Sequence, residues 1–479
     1  MNTVLLIASD EWRYWRRSKL GAAAGLLALI LTCASLLATM NQVRSERETR
    51  VALQHEAEHT FRDQPARHPH RMVHYGHYVF RPPTALAVLD PGVDPYTGTV
   101  IFLEGHRQNS ATFSPAYSGA QAGPFALLTP ALSYQLLVPL LLIIMGFSTV
   151  TREREAGTDR QLVTSGVSPT TIWLGKTVAL FGAAALMLLP LILGTVLSNA
   201  GGAIASGFLL LYALYLASWV LIITAASAWS PRASSALLAL ITIWVTLCIV
   251  TPRLLASAAM TNLPTASQIE TDMEVIVALR NVGDGHNASD PAFNQLRANL
   301  LEQYDVERVE DLPINFRGIV AQAAEAKLTD VLNEFAERRM ASQMAQSSFV
   351  NTLEILSPFA VLQSASMMTA GTDNQTHHRF LREAEAIRFQ FVQDLNQVHS
   401  EKMAYSDDIN RSSDSDAERR TRIDPENWRI LKDFEFHAAP ATQRLAQLAP
   451  SLLVISLWVL IAGSIGWLGA RRLVEVNRA

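Results

Sequence analysis

The chain has 479 residues, of which 49% are hydrophobic, and its formal net charge is −4. The apolar residues are concentrated in a few dense blocks, which excludes a single compact soluble domain. The absence of a basic excess argues against a nucleic-acid partner, and the two cysteines, Cys33 and Cys248, both lie in apolar runs, which excludes a disulfide framework.

Six apolar runs have the length of about 20 residues that an α-helix needs to cross the hydrocarbon of a bilayer. The first run is too long for an ordinary signal-peptide core and lacks a clear small-residue cleavage site, so we interpret it as a retained signal anchor. The runs lie at residues 20–40, 127–150, 175–198, 206–229, 234–256 and 448–470.

The orientation of these spans follows from the basic residues at alternate ends, because lysine and arginine in short loops stay on the cytoplasmic side. The basic residues are Arg13, Arg16, Arg17, Lys19, Arg152, Arg154, Arg160, Lys176, Arg232, Arg471, Arg472 and Arg478. We therefore expect a multi-pass protein of the bacterial inner membrane with both termini in the cytoplasm. The predicted divisions are residues 1–40, 41–126, 127–256, 257–447 and 448–479, of which 41–126 and 257–447 are periplasmic.

The first outer segment, 41–126, begins with a charged stretch, Asn41 to Phe61, that we expect to extend the first span as a helix. Proline and glycine punctuation and short β-type runs such as Thr99 to Leu103 follow. We predict a small mixed α/β element here.

The second outer segment, 257–447, has apolar residues at helical spacing among many charges, with eleven more acidic than basic side chains. The predicted helices are Ala266 to Leu279, Pro291 to Tyr304, Asn315 to Gln346 and Thr376 to Tyr405. The apolar stretch Leu353 to Thr372 fits either the membrane interface or the centre of the helical bundle. The polar stretch Asp407 to Arg420 is typical of an exposed turn or mobile linker. The predicted fold class is an all-α membrane protein with a large, mostly helical outer domain.

The stretch with the most specific pattern joins the second and third spans: TREREAGTDRQLVTSGVSPTTIWLGKTVAL, residues 151–180. A charged E-R-E-x-G-T precedes a short amphipathic segment, and L-G-K leads into the next span. In these features the chain resembles the ABC-2 family of exporter permeases. The resemblance implies that residues 151–176 form a coupling loop that docks on a nucleotide-binding subunit. The matching residues are Arg152, Glu153, Arg154, Glu155, Gly157, Thr158, Leu162, Pro169, Gly175 and Lys176.

No Walker A pattern, G-x-x-x-x-G-K-[ST], occurs in the sequence. We therefore expect ATP and Mg²⁺ to bind to a separate ABC ATPase subunit, and no cofactor to bind to this chain. The resemblance further implies a second permease copy or a paired permease. The outer segments are larger than the family's usual connections, so the chain resembles a branch with a large extracytoplasmic insertion of unknown function. A periplasmic adaptor or binding protein is a further candidate partner, besides membrane lipid.

Four histidines, His68, His70, His74 and His77, are the candidates for a metal site in the first outer segment. Their spacing fits no standard zinc pattern, and no cysteine or carboxylate completes the set nearby, so we predict no metal site. The sequence also lacks the G-x-S-x-G and H-E-x-x-H motifs. Asp90, Glu104 and His106 therefore do not indicate catalysis, and we predict that the chain is not an enzyme.

The leading hypothesis is the permease subunit of an ATP-driven exporter. Apart from Lys176 and Arg253, which lie near the ends of their runs, no charged residue interrupts the apolar runs, which disfavours a carrier driven by protons or sodium ions. The alternative is an ATP-coupled mechanotransmission or scaffold protein that acts on a periplasmic partner without substrate flux. Lipid, siderophore, peptide and drug-like cargo all remain open.

Overall fold

The computed structural model describes residues 2–112, 128–283 and 285–472. Residues 113–126 of the predicted first outer segment, residue 127 of the predicted second span and Arg478 of the predicted tail lie outside the described residues. In the N-terminal half the helices are α1 Thr3–Ser18, α2 Leu20–Arg62, α3 Pro69–Tyr75, α4 Asp94–Thr97, α5 Pro130–Leu132, α6 Val138–Gly146, α7 Thr151–Ala156, α8 Thr158–Thr164, α9 Pro169–Met187, α10 Leu189–Leu197, α11 Gly202–Trp229 and α12 Ala233–Val245.

The C-terminal half of the chain is also helical, and the two strands both lie in the N-terminal half. The helices are α13 Thr251–Asn262, α14 Gln268–Leu279, α15 Asn294–Tyr304, α16 Phe316–Leu353, α17 Pro358–Ala370, α18 Asn374–Lys402, α19 Tyr405–Asn410, α20 Ser415–Arg420 and α21 Ala441–Arg472. The strands are β1 His77–Phe80 and β2 Val100–Leu103. The predicted helical fold class with few strands is confirmed.

Six helices among the described residues are long and apolar enough to cross a membrane, which confirms the predicted number of spans. Two of them contain a π-helical turn, at Ser133–Leu137 and at Thr246–Val250. The six are Leu20–Arg62, Pro130–Ala156, Pro169–Leu197, Gly202–Trp229, Ala233–Asn262 and Ala441–Arg472.

The span α11 lies at the centre of the membrane bundle. Its aromatic side chains Tyr212, Tyr215 and Trp219 are fully buried and belong to one apolar core that also includes residues of α2, α6, α9 and α21. In contrast, Ala233–Asn262 and Ala441–Arg472 leave most of their apolar side chains on the surface of the bundle, where lipid can cover them.

The helix α2 is far longer than a membrane crossing requires. At 1.5 Å per residue its 43 residues extend about 65 Å, against about 30 Å of hydrocarbon. Its C-terminal half therefore leaves the bilayer as a continuous helix, as the charged stretch after Met40 predicts, and it ends at Arg62.

The small mixed element of the first outer segment contains β1 and β2, which pair antiparallel with His77 opposite Leu103 and Phe80 opposite Val100. Val79, Ile101 and Leu103 point into a core that they share with Phe380 of α18. The two outer segments therefore pack as one unit, although Phe380 is more than 270 residues from the strand residues that it contacts.

The helix α17 forms most of the apolar stretch from Leu353 to Thr372, for which the sequence allowed two locations. Phe359, Val361 and Leu362 are buried in the same core as the spans, and α17 packs against α11 and α21. The helical part of the stretch is therefore buried at the outer end of the membrane bundle, whereas Ile355 and Leu356 before it are exposed. The outer domain and the spans thus share one apolar core.

The interpretation of Asp407 to Arg420 as a turn or mobile linker was wrong, although most of its side chains are exposed as expected. The segment forms α19 and α20, and Asp408 is only 1% exposed. Its carboxylate contacts His68 at 3.1 Å, His399 at 2.8 Å and Asn315 at 3.2 Å. Although burial alone would raise the pKa of Asp408, these histidine contacts hold it well below its usual value. The polar composition of this segment gave no indication that Asp408 is buried among residues of other helices.

Candidate coupling site

The connection between the second and third spans consists of two short helices, α7 and α8, separated by Gly157. This glycine has φ of +71°, the left-handed region that glycine adopts without steric cost. At the other end, the Ser168 hydroxyl accepts a hydrogen bond from the Thr171 amide at 3.1 Å, and Pro169 occupies the first turn of α9, an arrangement that favours helix initiation.

Four charged side chains form a buried cluster at this connection, which we call the coupling cluster: Glu11, Arg152, Glu153 and Lys176. The Lys176 ammonium donates to Glu11 at 2.7 Å and to Glu153 at 2.6 Å. Arg152 donates to the same Glu11 carboxylate at 2.7 Å. Glu11 and Lys176 are almost completely buried, and the two carboxylates and two cations balance each other, as buried charges require.

The coupling cluster joins the connection to α1, the amphipathic N-terminal helix. The Trp15 indole of α1 donates to the Met145 carbonyl at 3.0 Å. Gly175 allows the close packing of α9 on α1, because a Cβ at this position would lie 2.6 Å from the Cβ of Ile7. Thus Gly175, predicted as part of the coupling motif, acts through helix packing.

Two further residues of the motif attach the connection to the turn between α11 and α12. Arg154 donates to the carbonyl oxygens of Ala228, at 2.8 Å, and Ser230. Glu155 accepts from the Ala233 amide at 3.0 Å, at the start of α12. The connection is therefore held to three elements of the membrane bundle.

The remaining residues of the motif lie around α8. The Thr158 hydroxyl donates to Glu153, and Leu162 is half-buried. The exposed surface of this connection includes Gln161, Thr164 and Ser165. Glu11 was not predicted as a site residue from the sequence. Its one signal is the acidic pair Asp10 and Glu11 in an otherwise basic N-terminal helix.

The basic ends of the described spans gather at the same end of the bundle as the coupling cluster. The Trp229 indole donates to the Ile465 carbonyl at 2.8 Å. The Arg472 guanidinium lies 4.4 Å from the centre of the Trp229 ring, a distance suited to a cation–π contact. The C-terminal end of α21 is therefore adjacent to the turn that Arg154 contacts.

At the opposite end, a polar chain connects the first outer segment with α11. The Ser366 hydroxyl of α17 donates to the Asp90 carboxylate and lies 2.8 Å from the Tyr212 hydroxyl. The Gln135 amide donates to Tyr212 at 3.3 Å. Burial raises the pKa of Asp90 to about 6.

The structure separates the four histidines that the sequence grouped as metal candidates. His68 contacts Asp408, and burial lowers its pKa to about 4. His77 lies in β1 beside Phe61, where burial also lowers its pKa to about 4. Only His70 and His74 remain together, one helical turn apart on α3, with 3.2 Å between their Nε2 atoms. The sequence spacing alone did not reveal this division.

Comparison with known families gives two adjacent matches. Residues 108–271 match the model of an ABC-2 family transporter protein. This part of the chain is therefore similar to an ABC-2 family transporter protein. Residues 267–437 match DUF3526, a domain of unknown function, and the arrangement is consistent with an ABC-2 permease with an extra domain. No curated protein matches the chain.

The ABC-2 match covers the coupling cluster apart from Glu11, and it covers the second to fifth spans. Together with the six apolar helices, this match supports a multi-pass membrane component of a transporter. The family in general implies association with an ABC ATPase subunit. The DUF3526 match covers α14 to α20 and thus most of the outer helices.

Proposed function

We propose that this chain is the permease subunit of an ATP-driven exporter and that residues 151–176 couple it to a separate nucleotide-binding subunit. The coupling cluster is the observation that carries this proposal. Because its charges tie α7 to both α1 and α9, a force applied to the connection moves these helices together. Such rigid-body movement is how a change at one site reaches distant elements.

The surface available to the ATPase is smaller than the motif suggests. Arg152, Glu153 and Lys176 pair with each other and with Glu11. They maintain the shape of the connection, whereas the exposed side chains of α8 and the turn after it, including Gln161 and Ser165, are positioned for a partner. We expect docking specificity to depend on this outward surface.

The proposed setting is the bacterial inner membrane, with both termini in the cytoplasm and the outer segments in the periplasm. The basic residues support it, because their location at one end of the bundle is the arrangement that retains a loop on the cytoplasmic side. In this proposal ATP and Mg²⁺ bind to the partner subunit, this chain is not itself an enzyme, and a second permease copy or a paired permease completes the transport path.

The coupling proposal is tested by purifying the full chain with its bound proteins from native membranes and identifying them by mass spectrometry. We expect a protein that contains a Walker A motif. Its recovery should fall at least tenfold in the variant Gln161→Arg/Ser165→Arg. The matched control, Ser289→Arg/Ser413→Arg, adds the same charge at exposed outer positions and should not change recovery. Equal recovery in all three proteins would contradict the docking assignment.

A cavity supports export as the outcome of coupling. It has a volume of about 1220 Å³ and lies where the outer ends of α13 and α21 meet the outer helices. Its wall combines apolar side chains such as Met260, Met340 and Met368 with the polar groups of Arg339 and Glu354. Burial raises the pKa of Glu354 to about 7. A mixed wall of this kind suits an amphiphilic molecule.

A second candidate function, mechanotransmission to a periplasmic partner, is supported by the attachment of the outer domain to the spans. The apolar core of α17 and the chain Asp90–Ser366–Tyr212 join the two regions. Movement of α11 would therefore be transmitted directly to the outer domain.

Reconstitution of the chain and its copurified ATPase into vesicles distinguishes the two functions. Export predicts ATP-dependent movement of the copurified small molecule across the bilayer, and Met340→Trp, which narrows the cavity, should reduce this flux. Mechanotransmission predicts no flux, together with ATPase activity that changes when an outer partner is added.

A further inference from the structure

Four histidines from three separate parts of the chain converge in the outer domain. His70 and His74 lie one turn apart on α3, His106 follows β2, and His286 lies between α14 and α15. One ring nitrogen of each lies within 4.8 Å of those of the other three. We propose that this histidine cluster, His70, His74, His106 and His286, is a site for a divalent transition metal ion of the zinc or copper type.

The spacing of the nitrogen atoms fits such an ion. Zinc–imidazole bonds are about 2.0–2.1 Å long, so two nitrogens of a tetrahedral site are about 3.3 Å apart. His70 and His74 have 3.2 Å between their Nε2 atoms. The rings of His286 and His106 lie 4.8 Å and 5.6 Å from that of His70, centre to centre. Small side-chain rotations would bring all four nitrogens to bonding distance.

His106 has the surroundings of a metal ligand. Its Nδ1 contacts the Glu325 carboxylate at 2.9 Å, while its Nε2 is buried without a hydrogen-bond partner among the described residues. Metal-bound histidines characteristically donate their second ring nitrogen to a carboxylate, which fixes the tautomer and the ring orientation. The backbone of His106 has φ of +63°, a left-handed conformation that a non-glycine residue seldom adopts.

The charges behind His106 also favour a cation. Glu325 contacts Arg388 at 2.5 Å, and Arg388 contacts Glu385 at 2.7 Å. We call these three residues the outer charge cluster. Its two carboxylates face one guanidinium, so with a neutral His106 the group has a net charge of −1. A metal ion on the histidine cluster would balance this charge.

A neighbouring group of His68, His399 and Asp408 also has three side chains of metal-ligating type. The Asp408 carboxylate, however, already lies 3.6 Å from Arg317 and 3.8 Å from Arg411. These guanidinium groups supply the positive charge that a metal would bring and would repel it. The histidine cluster is therefore the better metal site.

A metal at the histidine cluster would connect the two outer segments. His70, His74 and His106 belong to the first segment, whereas His286 lies within the residues that match DUF3526. The ion would hold the loop between α14 and α15 against α3 and the turn after β2. This role is independent of ATP coupling.

Metal titration of the full chain tests the site. The protein, purified in detergent without a histidine tag and stripped with EDTA, is titrated with Zn²⁺ or Cu²⁺ by calorimetry, and bound metal is counted by mass spectrometry. We expect one ion per chain and at least a 100-fold loss of affinity in His74→Ala/His286→Ala. Both side chains are exposed, so the variant should fold. The control His55→Ala/His59→Ala, also exposed, should bind normally.

Three further measurements test the geometry of the site. The electron paramagnetic resonance spectrum of bound Cu²⁺ should indicate nitrogen ligands in the parent protein and change in the double variant. Glu325→Gln should weaken binding about 10- to 100-fold through the orientation of His106, and bound metal should slow hydrogen exchange near His286. Equal affinity in the parent protein and the double variant, or the absence of Zn²⁺ and Cu²⁺ binding, would overturn the proposal.

Discussion

The two ends of the molecule each bury a group of ionised side chains, but these groups differ in charge balance. The coupling cluster has two carboxylates and two cations within hydrogen-bond distance. The outer charge cluster has two carboxylates on a single guanidinium, and the imidazole of His106 contacts one of these carboxylates.

The difference indicates different roles. A balanced buried cluster is complete without a ligand, and it can act as a rigid joint between α1, α7 and α9. A cluster with a net negative charge beside four imidazoles would be stabilised by an additional cation. The proposed transmission element and the proposed metal site therefore differ in their charge balance, and substitutions in each region should have different effects.

The largest effect is expected for Arg388→Met, which leaves Glu325 and Glu385 buried without their guanidinium partner. Removing one partner of a buried ion pair costs about 3–5 kcal/mol. Hydrogen exchange measured by mass spectrometry should show this loss in α16 and α18, with little change in α9. The control Arg382→Met removes the exposed pair with Glu337 and should cost about 0–1 kcal/mol. Equal losses would mean that burial of the outer charge cluster contributes nothing.

The variant Glu11→Gln tests the coupling cluster. Lys176 would keep only Glu153 as a partner, and Arg152 would lose its closest carboxylate, so we expect α1 and α7 to lose about 2–3 kcal/mol of protection against exchange. Asp10→Asn changes the adjacent, exposed acid and serves as the control. The double variant Glu11→Gln/Lys176→Met should lose less than the sum of its single variants. Strict additivity would contradict a shared cluster.

The variant His77→Phe tests the acid sensitivity of the outer domain. Burial lowers the pKa of His77 to about 4 from 6.5, and the charged groups that act on it are Arg62 and Asp433. Below pH 6.5 His77 therefore binds a proton in the unfolded chain, whereas in the folded chain it does so only near pH 4. The free energy of unfolding therefore decreases as the pH falls. Between pH 8 and pH 5 the parent protein should lose about 2 kcal/mol more than the variant.

Exchange in β1 and α2, followed at both pH values, measures this difference. The exposed His55 provides the control His55→Phe, which should keep the pH dependence of the parent protein. If His77→Phe lost as much stability as the parent protein between pH 8 and pH 5, groups other than His77 would cause the acid sensitivity.

The smallest effect is expected for Gly157→Ala. A Cβ at Gly157 would meet no atom within 4 Å, so the cost is confined to the left-handed backbone and should be about 1 kcal/mol. Exchange in α7 and α8 should rise accordingly. Gly202→Ala, also in open space but at a helix start without positive φ, should cause no loss. If Gly157→Ala left the stability unchanged, the backbone at this position would have to relax from its left-handed conformation.

Several features of the fold were predictable because they depend on local pattern. Six apolar runs and helical spacing in the second outer segment predict the spans and α14, α15, α16 and α18 with small differences in their ends. Long amphipathic helices have a strong period. The segment from Asp407 to Arg420 was mispredicted because its polar composition gives no indication that Asp408 bonds to residues far away in the chain.

In the candidate sites, too, contacts between residues that are far apart in the sequence were not predictable. The motif Arg152 to Lys176 was recognisable because its residues are close in sequence, and the structure brings Glu153 and Lys176 together. Glu11 was missed because it is more than 140 residues from Arg152. His286 was missed as a companion of His70 and His74 because it too is remote in the sequence, and His106 because β1 and β2 separate it from α3 along the chain.

Hydropathy is a local property of the chain, so the sequence was sufficient to predict which segments are long and apolar enough to cross a membrane. Which polar side chains meet became apparent only from the folded structure. Buried ion pairs and metal ligands depend on distances of a few ångströms between residues that are remote in the chain. These contacts create the coupling cluster at one end of the protein and the histidine cluster at the other.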